Sequence, residues 1–201
     1  MSKKLVAIVA SYRREGIIHQ AVHRILRQVK ESGHEVEIEL IDLLDRQIEF
    51  CTNCRLCTQS PGEKPGSCVV RDDMAGIIEA IESADYLVLG SPVNCFNVTA
   101  LFRRFMERLI CYSFWPWGKM SPRLRSKRKN KRALLVSSSA MPGLLQPFFT
   151  GAPRALKSTA RLLGARPVAV LCFGGIAIRE KGFLPSGFQD RIKRSVEKLL
   201  A

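Results

Sequence analysis

Five short apolar runs, each separated from the next by a segment of helical period, constrain this chain more than any other feature. The runs fall at 4–10, 35–42, 86–90, 132–138 and 167–173. Each has the length of one buried strand and falls well short of the roughly 18–20 residues that cross a bilayer. Between the first two, Ile17, Ala21, Val22, Ile25, Leu26 and Val29 recur at helical spacing, with Gly33 where a C-cap belongs. Asp72 and Asp73 open a second helix that carries Met74, Ile77, Ile78 and Ile81 on one face. Thr99 is positioned to cap a third helix running to Cys111, and further helices are expected over 153–163 and 186–200. Strand and helix in strict alternation imply βα units around a parallel sheet. Right-handed crossovers then place helices on both faces. The expected fold is a three-layer α/β domain, a doubly wound five-stranded parallel sheet of order 2-1-3-4-5, with its ligand beyond the carboxyl ends of the strands. A length of 201 residues and a hydrophobic content of 46% suit a single domain over 1–201. Two loops stand out in it, one bearing cysteines over 48–70 and one basic over 114–131.

The net charge of +14 invites a nucleic-acid reading until it is mapped. Eight of the basic residues lie between Lys119 and Arg132 with no acid among them, and without that window the charge is +6. The block lacks the interleaved aromatics of single-strand binders, so nucleic acid is not the expected partner. It reads as a solvated loop or as an attractor of an anionic substrate. The start of the chain, Met1-Ser2-Lys3-Lys4 and a short apolar run, shows no small-residue cleavage pattern, and a cytoplasmic protein is expected.

Three strand-to-helix loops share the ligand-bearing edge. After the first strand, Ser11-Tyr12-Arg13-Arg14-Glu15-Gly16 runs directly into Ile17 and Ile18 at a helix N-terminus. Backbone amides and the helix dipole make an anion site there, to which Ser11 adds a hydroxyl and Arg13 or Arg14 a charge-assisted fork for a phosphate monoester. The plainer alternative is a polar turn with two surface arginines. The G-x-G-x-x-G and G-K-[ST] signatures are absent, which disfavours direct dinucleotide or triphosphate binding. After the third strand comes Ser91-Pro92-Val93-Asn94-Cys95-Phe96-Asn97-Val98, where Pro92 is not expected to continue a ladder and the asparagines tolerate unusual turn dihedrals. Its amides suit a flat heteroaromatic ring. Ser137, Ser138, Ser139 and Ala140 form the third loop.

Cys51, Cys54 and Cys57 at three-residue steps, followed by Cys68, are candidate ligands for a [4Fe–4S] cluster. Structural or redox thiols and a zinc site are the alternatives. Cys111 and Cys172 lie in apolar stretches and read as core residues. His19 and His23 share a helix face with no carboxylate partner expected nearby, and no acid/base site is expected there.

Taken in order, Ser11-x-Arg13, then Cys51-x-x-Cys54-x-x-Cys57 to Cys68-Val-Val-x-Asp-Asp-Met, then Gly90-Ser-Pro-Val-x-x-x-Asn97-Val-Thr-Ala and Arg103-x-Phe-x-Glu-Arg108 resemble the NADPH-dependent FMN reductase and iron–sulfur flavoprotein group of the flavodoxin superfamily. The resemblance implies a flavodoxin-like fold and FMN held by the three loops. Its phosphate would meet Ser11, Arg13 and the amides of Ile17 and Ile18, its ring would lie against Pro92, Val93, Asn94, Cys95, Phe96, Asn97 and Val98, and Ser138, Ser139 and Ala140 would support it. Asn94 stands where tyrosine is usual in this group, and Ile17-Ile18 where a hydroxyl residue is common. The implied activity is an FMN-dependent NAD(P)H oxidoreductase of the flavin or quinone reductase type that passes electrons to a small acceptor, as a homodimer or homotetramer. The alternatives are an electron carrier with FMN plus a [4Fe–4S] cluster and, from another class, a cofactor-free binding or regulatory protein.

Overall fold

A computed structural model of the chain describes residues 2–126, 130–175 and 182–201. Lys127, Arg128 and Lys129 of the basic loop and Met1 of the expected domain lie outside the described residues. Five parallel strands form the central sheet: β1 (Lys3–Val9), β2 (Val36–Asp42), β3 (Tyr86–Pro92), β6 (Lys131–Ser138) and β7 (Ala165–Phe173). Their order, β2-β1-β3-β6-β7, is the expected 2-1-3-4-5 once a small antiparallel hairpin is set apart. That hairpin pairs β4 (Ser113–Phe114) with β5 (Arg123–Leu124) inside the basic loop.

Side chains alternate across the sheet and build two cores. Leu5, Ala7 and Val9 of β1 face α1 (Ile17–Glu31) and α6 (Gln189–Leu200) in one core. Val6 and Ile8 face α2 (Met74–Ser83), α3 (Ala100–Arg108) and α5 (Ala152–Leu162) in the other. Phe102 and Phe105 of α3 are fully buried and meet edge to face at 5.8 Å. Among the described residues no helix is long and apolar enough to cross a membrane.

Several boundaries differ from expectation for identifiable reasons. Pro92 does continue β3, opposite Ser138. The ladder bond that a proline cannot donate is instead made one residue later, by the Val93 amide to the Ser138 carbonyl at 2.7 Å. β7 begins at Ala165 rather than Pro167, and its register with β6 slips between Ala133 and Leu134. Such a bulge on an edge strand is where proline is tolerated. Thr99 caps α3 as expected, accepting from the Phe102 amide, but the regular helix ends at Arg108 and tightens into a 3₁₀ turn over Leu109–Tyr112. The last helix likewise begins with a 3₁₀ turn, Ser186–Phe188. A single-turn helix α4 (Gln146–Phe149) was not foreseen.

Candidate cofactor cleft and cysteine pocket

At the carboxyl edge of the sheet the loops after β1, β3 and β6 enclose a cleft of about 980 Å³. Ser11, Arg13, Arg14, Ile17, Ile18, Pro92, Val93, Asn94, Ser138, Ser139 and Ala140 line it, so most of the expected site residues converge. The first loop folds back on itself: the Ser11 hydroxyl accepts from the Arg13 amide at 3.3 Å, and the Gly16 amide donates to the Arg13 carbonyl at 2.9 Å. This turn delivers the start of α1 to the cleft with no side-chain cap and no acidic residue in its first turn. Gln20 is the first residue of α1 whose amide finds an acceptor one turn back, the Gly16 carbonyl at 3.0 Å. The amides of Ile17, Ile18 and His19 are therefore left for a partner outside the helix, at its positive end. Gly90 permits the arrangement, since a Cβ there would lie 2.9 Å from the Ile18 side chain.

Arg14, expected with Arg13 at the phosphate, lines the cleft and is also engaged by a carboxylate. Both its terminal nitrogens bind Asp45, at 2.9 and 2.5 Å, and the paired guanidinium holds the Asp45 carboxyl below its ordinary range. Arg13 and Arg14 both line the cleft.

Cys95, Phe96, Asn97 and Val98 are not among the lining residues. Asn94 and Asn97 exchange both backbone bonds, at 2.8 and 2.9 Å, so the loop closes as a two-residue hairpin turn. Its central residues Cys95 and Phe96 have φ of +46° and +63°. The turn tip carries these two side chains away while Asn94 stays at the cleft, and Phe96 is 74% exposed. Below the turn, Ser91 accepts from the Thr99 amide and Thr99 donates to the Ala10 carbonyl at 2.9 Å, binding the second loop to the end of β1. In the third loop Ser139 donates its amide to the Phe173 carbonyl and its hydroxyl to that of Met141.

Sequence reading missed the opposite wall. Gln20, Gly182 and Phe183 also line the cleft. The Gln20 side chain donates to the Gly182 carbonyl at 2.8 Å and accepts from the Leu184 amide at 2.9 Å. Nothing local signals a contact across 160 residues. His19 was also misjudged: its Nε2 lies 2.7 Å from Asp42 at the end of β2, a carboxylate that the fold supplies.

Cys51, Cys54, Cys57 and Cys68 line one small cavity of about 20 Å³ together with Arg55 and Arg108. Among the described residues no three metal-ligating groups stand at metal-holding geometry. The donor set nevertheless consists of four thiols around one space, which suits a thiolate-bound centre. Burial first, then the neighbouring cysteines, pushes the Cys57 thiol up; the Leu56 amide first, then the Thr52 hydroxyl, holds that of exposed Cys54 down. Cys111 is buried beside them and pushed up to about 12 chiefly by that burial, which keeps it protonated. The β4–β5 hairpin clamps this loop: Arg125 donates to the carbonyls of Cys57, Ser60 and Cys111, and Arg55 is held between the rings of Trp115 and Trp117, 3.7 and 4.2 Å from their centroids.

A family model described as NADPH-dependent FMN reductase matches residues 3–147. An iron-sulfur flavoprotein of Archaeoglobus fulgidus is 34% identical over 113 residues, 56% of this chain and 48% of that protein. An NAD(P)H-dependent FAD/FMN reductase of Geobacillus thermodenitrificans is 29% identical over 86 residues, 43% of this chain and 40% of that protein. The chain thus spans about half the length, or less, of these curated relatives. Among solved structures, an FMN-dependent NADH-azoreductase from Bacillus anthracis in complex with FMN superposes with a TM-score of 0.72 at 15% identity, covering 100% of both chains. The NAD(P)H:quinone oxidoreductase of Methanothermobacter marburgensis gives 0.67 at 17% identity over 100% of this chain and 98% of its own. These two share the fold.

Proposed function

Because the chain belongs to the NADPH-dependent FMN reductase family, we propose that it is an NAD(P)H-dependent oxidoreductase that binds FMN in the cleft beyond β1, β3 and β6 as one domain over 1–201. The observation that carries this reading is the uncapped N-terminus of α1, whose unsatisfied amides open into a cleft large enough for a flavin nucleotide. Ser11, Arg13 and the amides of Ile17 and Ile18 receive the phosphate. Pro92, Val93 and Asn94 set the plane of the ring, Ser138, Ser139 and Ala140 support its edge, and Phe183 and Gln20 limit water on the open side. Bound FMN supplies hydride and electron transfer, from NAD(P)H to a small acceptor. The protein supplies orientation and charge, and no side chain need exchange a proton with substrate. Exposed Phe96, Phe148 and Phe149 support a homo-oligomer.

Purified protein titrated with FMN tests the reading. Binding should quench flavin fluorescence, and FMN at about a hundred times its Kd should add about 2.7 kcal/mol to stability and raise Tm. The holoprotein should then oxidise NADPH or NADH in the presence of a quinone. No binding and no shift in Tm would refute it.

A second reading is favoured by the four sulfurs around one cavity and by several relatives named as iron-sulfur flavoproteins. In it Cys51, Cys54, Cys57 and Cys68 would hold a [4Fe–4S] cluster, which would supply single-electron transfer alongside FMN. Anaerobic reconstitution followed by iron and sulfide assay tests it, and an iron-free product counts against it.

A further inference from the structure

We propose that Arg108 is a positioning residue for the cysteine pocket, a buried guanidinium that brings Cys68 to the other three sulfurs as the fourth ligand and sets the reduction potential of the centre they hold. The inference rests on the four-cysteine reading above.

Cys68 follows Cys57 only after a spacer, Thr58 to Ser67, that contains two prolines and two glycines. Spacing alone does not bring it back. Arg108, at the end of α3, is 3% exposed. Its Nη1 donates to the Glu49 carbonyl at 2.8 Å and to Asp72; its Nη2 donates to the other Asp72 oxygen at 3.2 Å and to Cys68 Sγ at 3.5 Å. Asp72 in turn accepts from the amides of Glu49 at 2.8 Å and Met74 at 3.1 Å. One ion pair therefore ties together the residue two before Cys51, the residue four after Cys68, and α3.

A merely structural arginine would be satisfied by Asp72 and the Glu49 carbonyl. Burying an ion pair costs solvation that an apolar pair of the same volume would not lose. Here the pair also aims N–H at a sulfur lining the cavity. Hydrogen bonds and positive charge at a ligating sulfur favour the reduced, more negative state of a thiolate-bound centre and raise its potential. Asp72, on the far side of the guanidinium, offsets part of that charge.

The test uses the whole chain, reconstituted anaerobically with ferrous iron and sulfide, assayed for iron per chain and titrated by spectroelectrochemistry. FMN binding serves as an independent check on folding. Arg108→Gln should lower iron occupancy and shift the potential of the remaining centre to more negative values. Asp72→Asn, which keeps shape and leaves the guanidinium unneutralised, should shift it to less negative values with iron retained. Opposite shifts are not what loss of a structural tie would give. If Arg108→Gln does not fold, Asp72→Asn alone decides: an unchanged or more negative potential overturns the proposal. Wild-type protein that takes up no iron overturns the four-cysteine reading itself. Iron-loaded wild type with variants of unchanged potential and occupancy overturns only the role of Arg108.

Discussion

Of the two adjacent exposed arginines that line the cleft, Arg14 is engaged by a carboxylate that the fold brings to it. Arg14 is held by Asp45, and Arg13 lines the cleft next to it at the end of the Ser11 turn, so the proposed phosphate site assigns the larger share of binding to Arg13. Arg13→Ala should weaken FMN binding roughly 10- to 100-fold, the worth of a charge-assisted hydrogen bond of about 1.5–3 kcal/mol. Arg14→Ala should leave FMN affinity within about twofold and change stability little, as loss of an exposed ion pair does. Fluorescence titration and urea denaturation distinguish the two, and equal losses of affinity would void the contrast. Gly66 is the sharper constraint, because a Cβ there would stand 1.9 Å from the Cys57 carbonyl oxygen. Gly66→Ala should push the Cys68 arm off Cys57 at a cost of about 1–3 kcal/mol, seen as a lower denaturation midpoint and faster thiol labelling at Cys68. Ser11 and Arg13 are legible in the sequence because a turn between strand and helix is local. The pairing of Arg14 with Asp45 and of His19 with Asp42 is not, since both depend on where β2 ends relative to α1.

The central strands β1, β3 and β6 could be read to within a few residues because a parallel strand buried on both faces leaves an almost unbroken apolar run, whereas the edge strand β2 shows itself by alternation of Val36, Ile38 and Leu40 with Glu37 and Glu39. The β4–β5 hairpin and α4 escaped for the opposite reason. Two-residue strands have no periodicity to detect, and what holds this hairpin is Arg55 against two tryptophans and Arg125 on four carbonyls, contacts between segments apart in sequence. Arg55→Ala removes two cation–π contacts, each worth about 0.5–2 kcal/mol, together with a 2.7 Å bond to the Trp115 carbonyl. The hairpin should then exchange its amide hydrogens faster than β6 and become cleavable by trypsin, with FMN affinity intact. Unchanged exchange over residues 113–125 would show that Arg55 is not the clamp. The loop after β3 was half legible: asparagines marked a turn, but which side chains its tip would carry away from the cleft depends on a register that only the hydrogen bonds fix.

For the molecule as a whole, acid response follows from its paired carboxylates. Burial alone would raise Asp72 and Asp85, but Arg108 with two amides in the first case, and Lys3 with the Lys4 amide in the second, outweigh it and hold both below their ordinary range. A group depressed on folding contributes stability that is present above its unfolded value of about 3.9 and is lost as pH falls through the folded one. Stability should stay level from neutrality to about pH 5 and fall below about pH 4. Asp72→Asn should be less stable at pH 7 and show a shallower acid limb in a urea series, whereas curves parallel to wild type would remove Asp72 from the acid response. The bond from Gln20 to Gly182 and Leu184 has a consequence in time as well as in space. A ribosome adding about 5–20 residues per second releases the phosphate turn early and its facing wall some 10–30 seconds later. A chain halted before residue 182 would have the α1 turn without the wall that faces it, so under the proposed reading tight retention of a flavin would report that synthesis has passed Leu184.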